Sequence, residues 1–225
     1  MPKTMVLVPC YKRPEYTQLC IQALEKAQDY HDVEFVLVDD GSNDETGSIL
    51  HGANLPFQMI ERKESAGLRA TIMEFFELSK GAEYIAKIDN DCLVPANWLT
   101  KLLFFLEAGH ADMVSPNVFP SNAAFKLGKE TDIKDFRSAS FVGGLWCMRR
   151  SLLDDISFEK LKTCGITGAF PLLQRIIVEK DPKIGWVTSV TVEDVGHYSG
   201  KHPQHIKSEA HLEYSQEVGR SVSWI

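Results

Sequence analysis

The chain has 225 residues, 44% hydrophobic and 24% charged, which suits one substantial α/β domain and leaves little room for a second core. A formal net charge of −7 argues against a broad surface for a phosphate backbone, which needs clustered Lys and Arg, although Lys201, His202, His205 and Lys207 lie close together near the C-terminus. Five cysteines without a CxxC pair fit reduced thiols. Nothing at the N-terminus has the apolar run of a signal peptide, and WLTKLLFFLEAG is too short to span a bilayer, so the expectation is a soluble cytoplasmic protein.

The predicted elements alternate through the first half. Residues 4–9 (TMVLVP) form a short buried-strand pattern closed by proline. Pro14 opens a helix with apolar residues at Tyr16, Leu19, Cys20, Ala23, Leu24 and Ala27. Residues 33–40 (VEFVLVDD) are a second buried strand ending in acid, and Ser42 with Glu45 makes a capping box for a short helix. Residues 57–62 read as a third strand. Helix 66–80 carries Leu68, Ile72, Phe75 and Phe76 on one face, and strand 84–88 (YIAKI) runs into Asp89-Asn90-Asp91. Strand–helix alternation predicts a mostly parallel sheet flanked by helices. The second half is less regular: helix 95–108, strand 112–119, a polar loop over 120–140, a glycine-interrupted strand over 140–150, a helix through Leu172, Leu173, Ile176 and Ile177, and strand 184–192. From His197 the chain is polar and weakly periodic, which suits a flap. No internal repeat or linker divides the chain, so residues 1–225 are expected to form a single domain.

In open α/β sheets ligands bind beyond the carboxyl ends of the strands. Three such ends carry suggestive residues: Pro9-Cys10-Tyr11 with Arg13, Asp39-Asp40-Gly41-Ser42, and Asp89-Asn90-Asp91. Taken singly, an acid after a strand is more often a turn former, and Tyr11 an aromatic over the sheet end. Their convergence on one edge carries the inference. Asp89 and Asp91, two apart in extended chain, project to one face, and hard divalent cations such as magnesium and manganese take one or two carboxylates plus substrate phosphates.

The stretches VPCYKRPEYTQLCIQAL, FVLVDDGSNDET, AGLRATI, YIAKIDNDCLVP and GGLWCMRRSLL together resemble the inverting family 2 glycosyltransferases of GT-A (Rossmann-like) fold. The match is good over the first 100 residues and looser beyond. The resemblance implies a nucleotide-sugar-binding half (1–92) and a mixed acceptor-side half (93–225) ending in a C-terminal flap. It implies that Pro9, Tyr11 and Arg13 line the nucleotide pocket, with Tyr11 beside the base. Asp40 would accept from base or ribose, with Asp39 its neighbour, and Arg69 would approach the diphosphate. Asp89 would contact the ribose, with Asn90 in the same donor site, while Asp91 and His197 hold manganese or magnesium. Gly143 and Gly144 fit a close approach of backbone to donor sugar or acceptor.

The expected reaction moves a sugar from a nucleoside-diphosphate donor, a UDP-sugar by expectation, to an acceptor hydroxyl. The acceptor stays open among sugars, glycan ends, proteins and a nucleic-acid base. An inverting transfer needs a base. Here the chain departs from the family: KTCGITGAFPLL stands where an E-D pair is usual. Glu193 and Asp194 are the nearest such pair, and Asp194 is the substitute candidate; a retaining transfer is the alternative. Two rival readings are a sugar-phosphate nucleotidyltransferase, which would carry a glycine-rich first loop, and a non-catalytic nucleotide-sugar binding protein. Neither GxGxxG nor GxxxxGK[ST] occurs, which disfavours dinucleotide and P-loop enzymes.

Overall fold

Strand β1 (Thr4–Cys10) shows how the core is divided. Successive side chains of a strand point to opposite faces, and here both faces are apolar. Val6, Val8 and Cys10 join one core with Cys20, Ile21 and Leu24 of helix α1 (Pro14–Lys26), while Met5 and Leu7 join a second core on the other face. The computed structural model describes residues 3–27, 31–119, 129–140, 142–156, 177 and 179–196.

Strand β2 (Val33–Asp39), helix α2 (Thr46–His51), strand β3 (Phe57–Glu61), helix α3 (Gly67–Leu78) and strand β4 (Tyr84–Lys87) follow in the expected alternation. Helix α3 covers one face through Ile72, Phe75 and Phe76, and α1 and α2 cover the other. Then come β5 (Cys92–Leu93), α4 (Trp98–Glu107), β6 (Met113–Phe119), β7 (Lys129–Glu130), β8 (Phe136–Ser138), β9 (Trp146–Arg149), a 3-10 turn (Arg150–Leu153) and β10 (Ile184–Asp194). One ten-stranded sheet runs in the order β3-β2-β1-β4-β9-β6-β10-β8-β7, with β5 attached to β10. The first four of these are parallel neighbours. Antiparallel pairing starts where β9 meets β4, and the remainder is mixed. The α/β class and the mixed second half are therefore as expected.

Several local expectations change. The loop expected over 120–140 contains β7 and β8, whose two and three residues are too short to show a period. The strand expected over 140–150 is reduced to β9, after the glycines. Ser42 does not cap α2: Glu45 is its N-cap residue without a side-chain bond, and Thr46 N–H donates to Asp44 Oδ1 at 2.8 Å. Strand β10 extends to Asp194, two residues beyond the expected end. The helix expected near Leu172–Ile177 lies outside the described residues except for Ile177, which is buried. The flap from His197 also lies outside them. Among the described residues no helix is long and apolar enough to cross a membrane.

Candidate active site

The parallel strands β1, β2 and β4 end at one edge of the sheet, and their following loops are tied together by side chains. Asp39, the last residue of β2, is buried and accepts from Ser42 N–H at 2.9 Å and from the Ser42 hydroxyl. Ser42 Oγ in turn accepts from Lys12 N–H at 2.8 Å, so the loops after β1 and β2 are latched. That is the turn-forming role an acid three residues before a serine can take. Pro9 is half-buried in β1 opposite Val38, and half-buried Tyr11 has Lys12 Nζ 5.3 Å from its ring centroid.

Asp40 binds the next loop. Its carboxylate accepts from Arg62 Nη1, the Ser65 hydroxyl at 2.6 Å, Ala66 N–H at 3.0 Å and Gly67 N–H at 2.8 Å. Two of those donors are backbone groups at the start of α3, where orphan N–H groups and the helix dipole favour an anion. Gly41, at φ +77°, lies against the same loop; a Cβ there would sit 2.6 Å from Glu64 C, so only glycine permits the approach. Arg62 also reaches Thr71 and Glu74. Arg69 is half-buried in the first turn of α3.

The Asp89-Asn90-Asp91 turn is held from three sides. Asn90 is buried and donates to Thr17 Oγ1 of α1 at 2.9 Å. Asp89 receives a charged hydrogen bond from Lys87, whose side chain is only 4% exposed and which also donates to Gly144 O at 3.2 Å. Gly144 lies so close that an added Cβ would be 3.3 Å from Asp89 Oδ2, and at Gly143 one would be 3.6 Å from Trp186. Asp91 pairs with Arg13 at 3.0 Å, with exposures of 14% and 13%. Burial opposes the charge on Arg13, but Asp91 and Tyr16 outweigh it and its pKa is raised. Arg13 also lies over the Tyr16 ring, 4.1 Å from its centroid.

The end of β10 closes over this turn. Asp194 pairs in register with Cys92, Val195 N–H donates to Asp91 O at 2.9 Å, and Gly196 N–H donates to Asp194 Oδ1 at 3.0 Å. Burial pushes the Cys92 thiol well up, and the charges of Asp91, Asp194 and Asp89 add to the shift. The structure thus brings Asp194 to the same edge as the acidic turn. His197 lies outside the described residues. Lys87, Arg62, Ser65 and Thr17 were not anticipated. For Lys87 a signal existed: a charged residue inside the apolar run YIAKI demands a buried partner. A cavity of about 690 Å³ lies at the other end of β4, lined in part by Glu83, Arg149 and Arg150, away from these residues.

Among the described residues no group of three or more His, Cys, Asp or Glu side chains can hold a metal by itself. The donor set nevertheless fits a hard cation, which is commonly bound by one or two carboxylates with the rest supplied by phosphate and water. The Arg13 guanidinium is the cationic group in contact with Asp91 Oδ2.

Comparison with known proteins agrees with this frame. Residues 5–178 match the model of Glycosyl transferase family 2. A Campylobacter jejuni GalNAc(5)-diNAcBac-PP-undecaprenol beta-1,3-glucosyltransferase is 24% identical over 174 residues, covering 71% of this chain and 56% of that one. The chain spans about half the length, or less, of the curated relatives it matches. The GT-A fold is shared with Staphylococcus aureus TarS 1-349 in complex with UDP-GlcNAc, at TM-score 0.65 and 16% identity, covering 96% of this chain and 65% of that one. It is shared also with the Pyrobaculum calidifontis mannosyltransferase PcManGT in complex with GDP-Man and Mn2+, at TM-score 0.67 and 20% identity, covering 98% and 65%.

Proposed function

The chain belongs to glycosyl transferase family 2, and from that premise we propose that it moves a sugar from a nucleoside-diphosphate donor to an acceptor hydroxyl with inversion, using a divalent cation. The observation that supports this reading best is the pair Asp89 and Asp91 at the edge where β1, β2 and β4 end, with Asp91 already carrying a cationic group. Residues 1–92 would take the donor and 93–225 the acceptor.

Pro9 and Tyr11 flank the base. Asp40, held by Arg62, Ser65 and the start of α3, would accept from the base or ribose, and Asp39 fixes the loop through Ser42. Asp89 meets the ribose beside Asn90, and the side-chain-free stretch Gly143-Gly144 lets the donor sugar approach. Manganese or magnesium, held by Asp91 and by His197 directly after Gly196, would supply Lewis-acid stabilisation of the departing diphosphate. Arg69 and Arg13 add positive charge where negative charge grows. Asp194 takes the proton of the acceptor hydroxyl as the hydroxyl attacks the anomeric carbon. The solved complexes with UDP-GlcNAc and with GDP-Man and Mn2+ support nucleotide-sugar use, and a UDP-sugar is the donor proposed.

The test is a panel of UDP- and GDP-sugars with Mn2+ or Mg2+, monitoring nucleoside diphosphate release. One UDP-sugar should be turned over in a metal-dependent way, and Asp91→Asn should lower that turnover on the order of 10²–10³-fold with thermal melting unchanged. Undiminished turnover in Asp91→Asn would sink the reading, as would nucleotide binding without turnover of any donor.

A further inference from the structure

We infer that Arg13 is a placeholder cation on Asp91, so that a divalent cation gains the Oδ2 of this carboxylate only by displacing the guanidinium. The inference rests on the reading of Asp91 as a cation ligand and adds how that ligand is held beforehand. Arg13 Nη1 lies 3.0 Å from Asp91 Oδ2, within direct contact, and both side chains are largely shielded from water. The guanidinium already in contact with Asp91 Oδ2 repels a second cation brought to the same oxygen. At Oδ2 the two occupants are therefore alternatives.

The local backbone is built to deliver this arginine. Lys12 and Arg13 have φ of 54° and 65°, and the other non-glycine residues with positive φ among those described are all Asn or Asp, which tolerate that region. Arg13 also precedes Pro14, whose ring disfavours the right-handed helical region for the residue before it. The unusual backbone turns the guanidinium back onto the acidic turn and over Tyr16. Arg13 Nε is buried and has no hydrogen-bond partner among the described residues, so Nη1 meets Asp91 at the expense of the Nε–H donor.

Gly196 closes the pair from the β10 side. A Cβ at this glycine would lie 2.0 Å from Asp91 Oδ2 and 2.1 Å from Arg13 Nη2. Any side chain there would force the two groups apart or lift the end of β10. With Val195 bonded to Asp91 O, the resting pair and the docked end of β10 form one unit.

The test measures Mn2+ binding to the full chain by the loss of the free-ion electron paramagnetic resonance signal, with Mn2+ alone and with Mn2+ plus UDP. If about a tenth of the resting protein has Asp91 released, Arg13→Met should bind Mn2+ alone about tenfold more tightly than wild type. Arg13→Lys, a point charge without the fork, should fall between them. Equal or weaker binding in Arg13→Met overturns the inference. Asp91→Asn separates the two readings: if it keeps wild-type Mn2+ binding, Asp91 is no cation ligand, whereas its loss of binding leaves the site standing whatever Arg13 does. Should Arg13→Met not fold, the wild-type protein supplies the answer through phenylglyoxal modification of Arg13, followed by peptide mass spectrometry. Saturating Mn2+ should speed that modification several-fold, and an unchanged or slower rate overturns the inference.

Discussion

Replacing Asp40 with alanine tests whether this residue is part of the frame that presents the donor site. Its carboxylate is buried and receives four donors: Arg62, Ser65 and the backbone N–H groups of Ala66 and Gly67. Alanine leaves the two backbone donors at the start of α3 without their acceptor, at about 1 kcal/mol each. Removing one partner of a buried ion pair costs about 3–5 kcal/mol when the other is stranded, but Arg62 keeps Glu74 and Thr71, so a fraction of that applies. A total near 3 kcal/mol is expected. For a chain of this size that lowers the melting temperature by about 6–12 °C. The assay is urea unfolding of wild type, Asp40→Ala, Asp40→Asn and Arg62→Met, with the double variant closing a cycle. Asp40→Asn should lose less, because it keeps one accepting oxygen. A coupling energy near zero, or a loss under about 1 kcal/mol in Asp40→Ala, refutes the assignment. UDP affinity measured calorimetrically on the folded variants then states how much of Asp40 belongs to the nucleotide.

Lys87→Met should raise the donor KM by about tenfold with a smaller effect on kcat, because Asp89 and the Gly144 carbonyl lose their common donor. Lys87→Arg should restore part of the loss, and a pure stability defect with unchanged KM would contradict a positioning role. The thiols of Cys10, Cys20, Cys92 and Cys147 are buried and their pKa values are pushed up by that burial. A group with a raised folded pKa contributes stability fully present below its unfolded value and lost as the pH climbs toward the folded one. Urea midpoints should therefore fall as pH rises above about 8.5, each thiol adding up to about 1.4 kcal/mol per pH unit, and a flat profile between pH 7.5 and 9.5 would oppose this.

What the sequence makes legible depends on whether a feature is local. Strands β1 and β2 are buried on both faces and read as largely apolar runs, interrupted in β2 only by Glu34 before its terminal Asp39, so they stand out without any partner. Asp39 was also within reach, since its acceptor role toward Ser42 spans three residues. Asp40 was not: its four donors come from residues 22 to 27 positions onward, and nothing in VDDGS marks them. The same distance hides the pairing of Arg13 with Asp91, which requires the αL turn before Pro14 as well as the order of strands β1 and β4. Short strands such as β5 and β7 have too few residues for a period and exist only because β10 and β8 supply partners. The edge residues could thus be chosen by position, while their bonds follow from tertiary packing. That division explains why an acidic turn is a sound starting point for locating a donor site and a poor one for saying what each acid does. Asp39 and Asp40 are adjacent, both buried, and of one chemical type, yet one fastens the first loop and the other fastens α3.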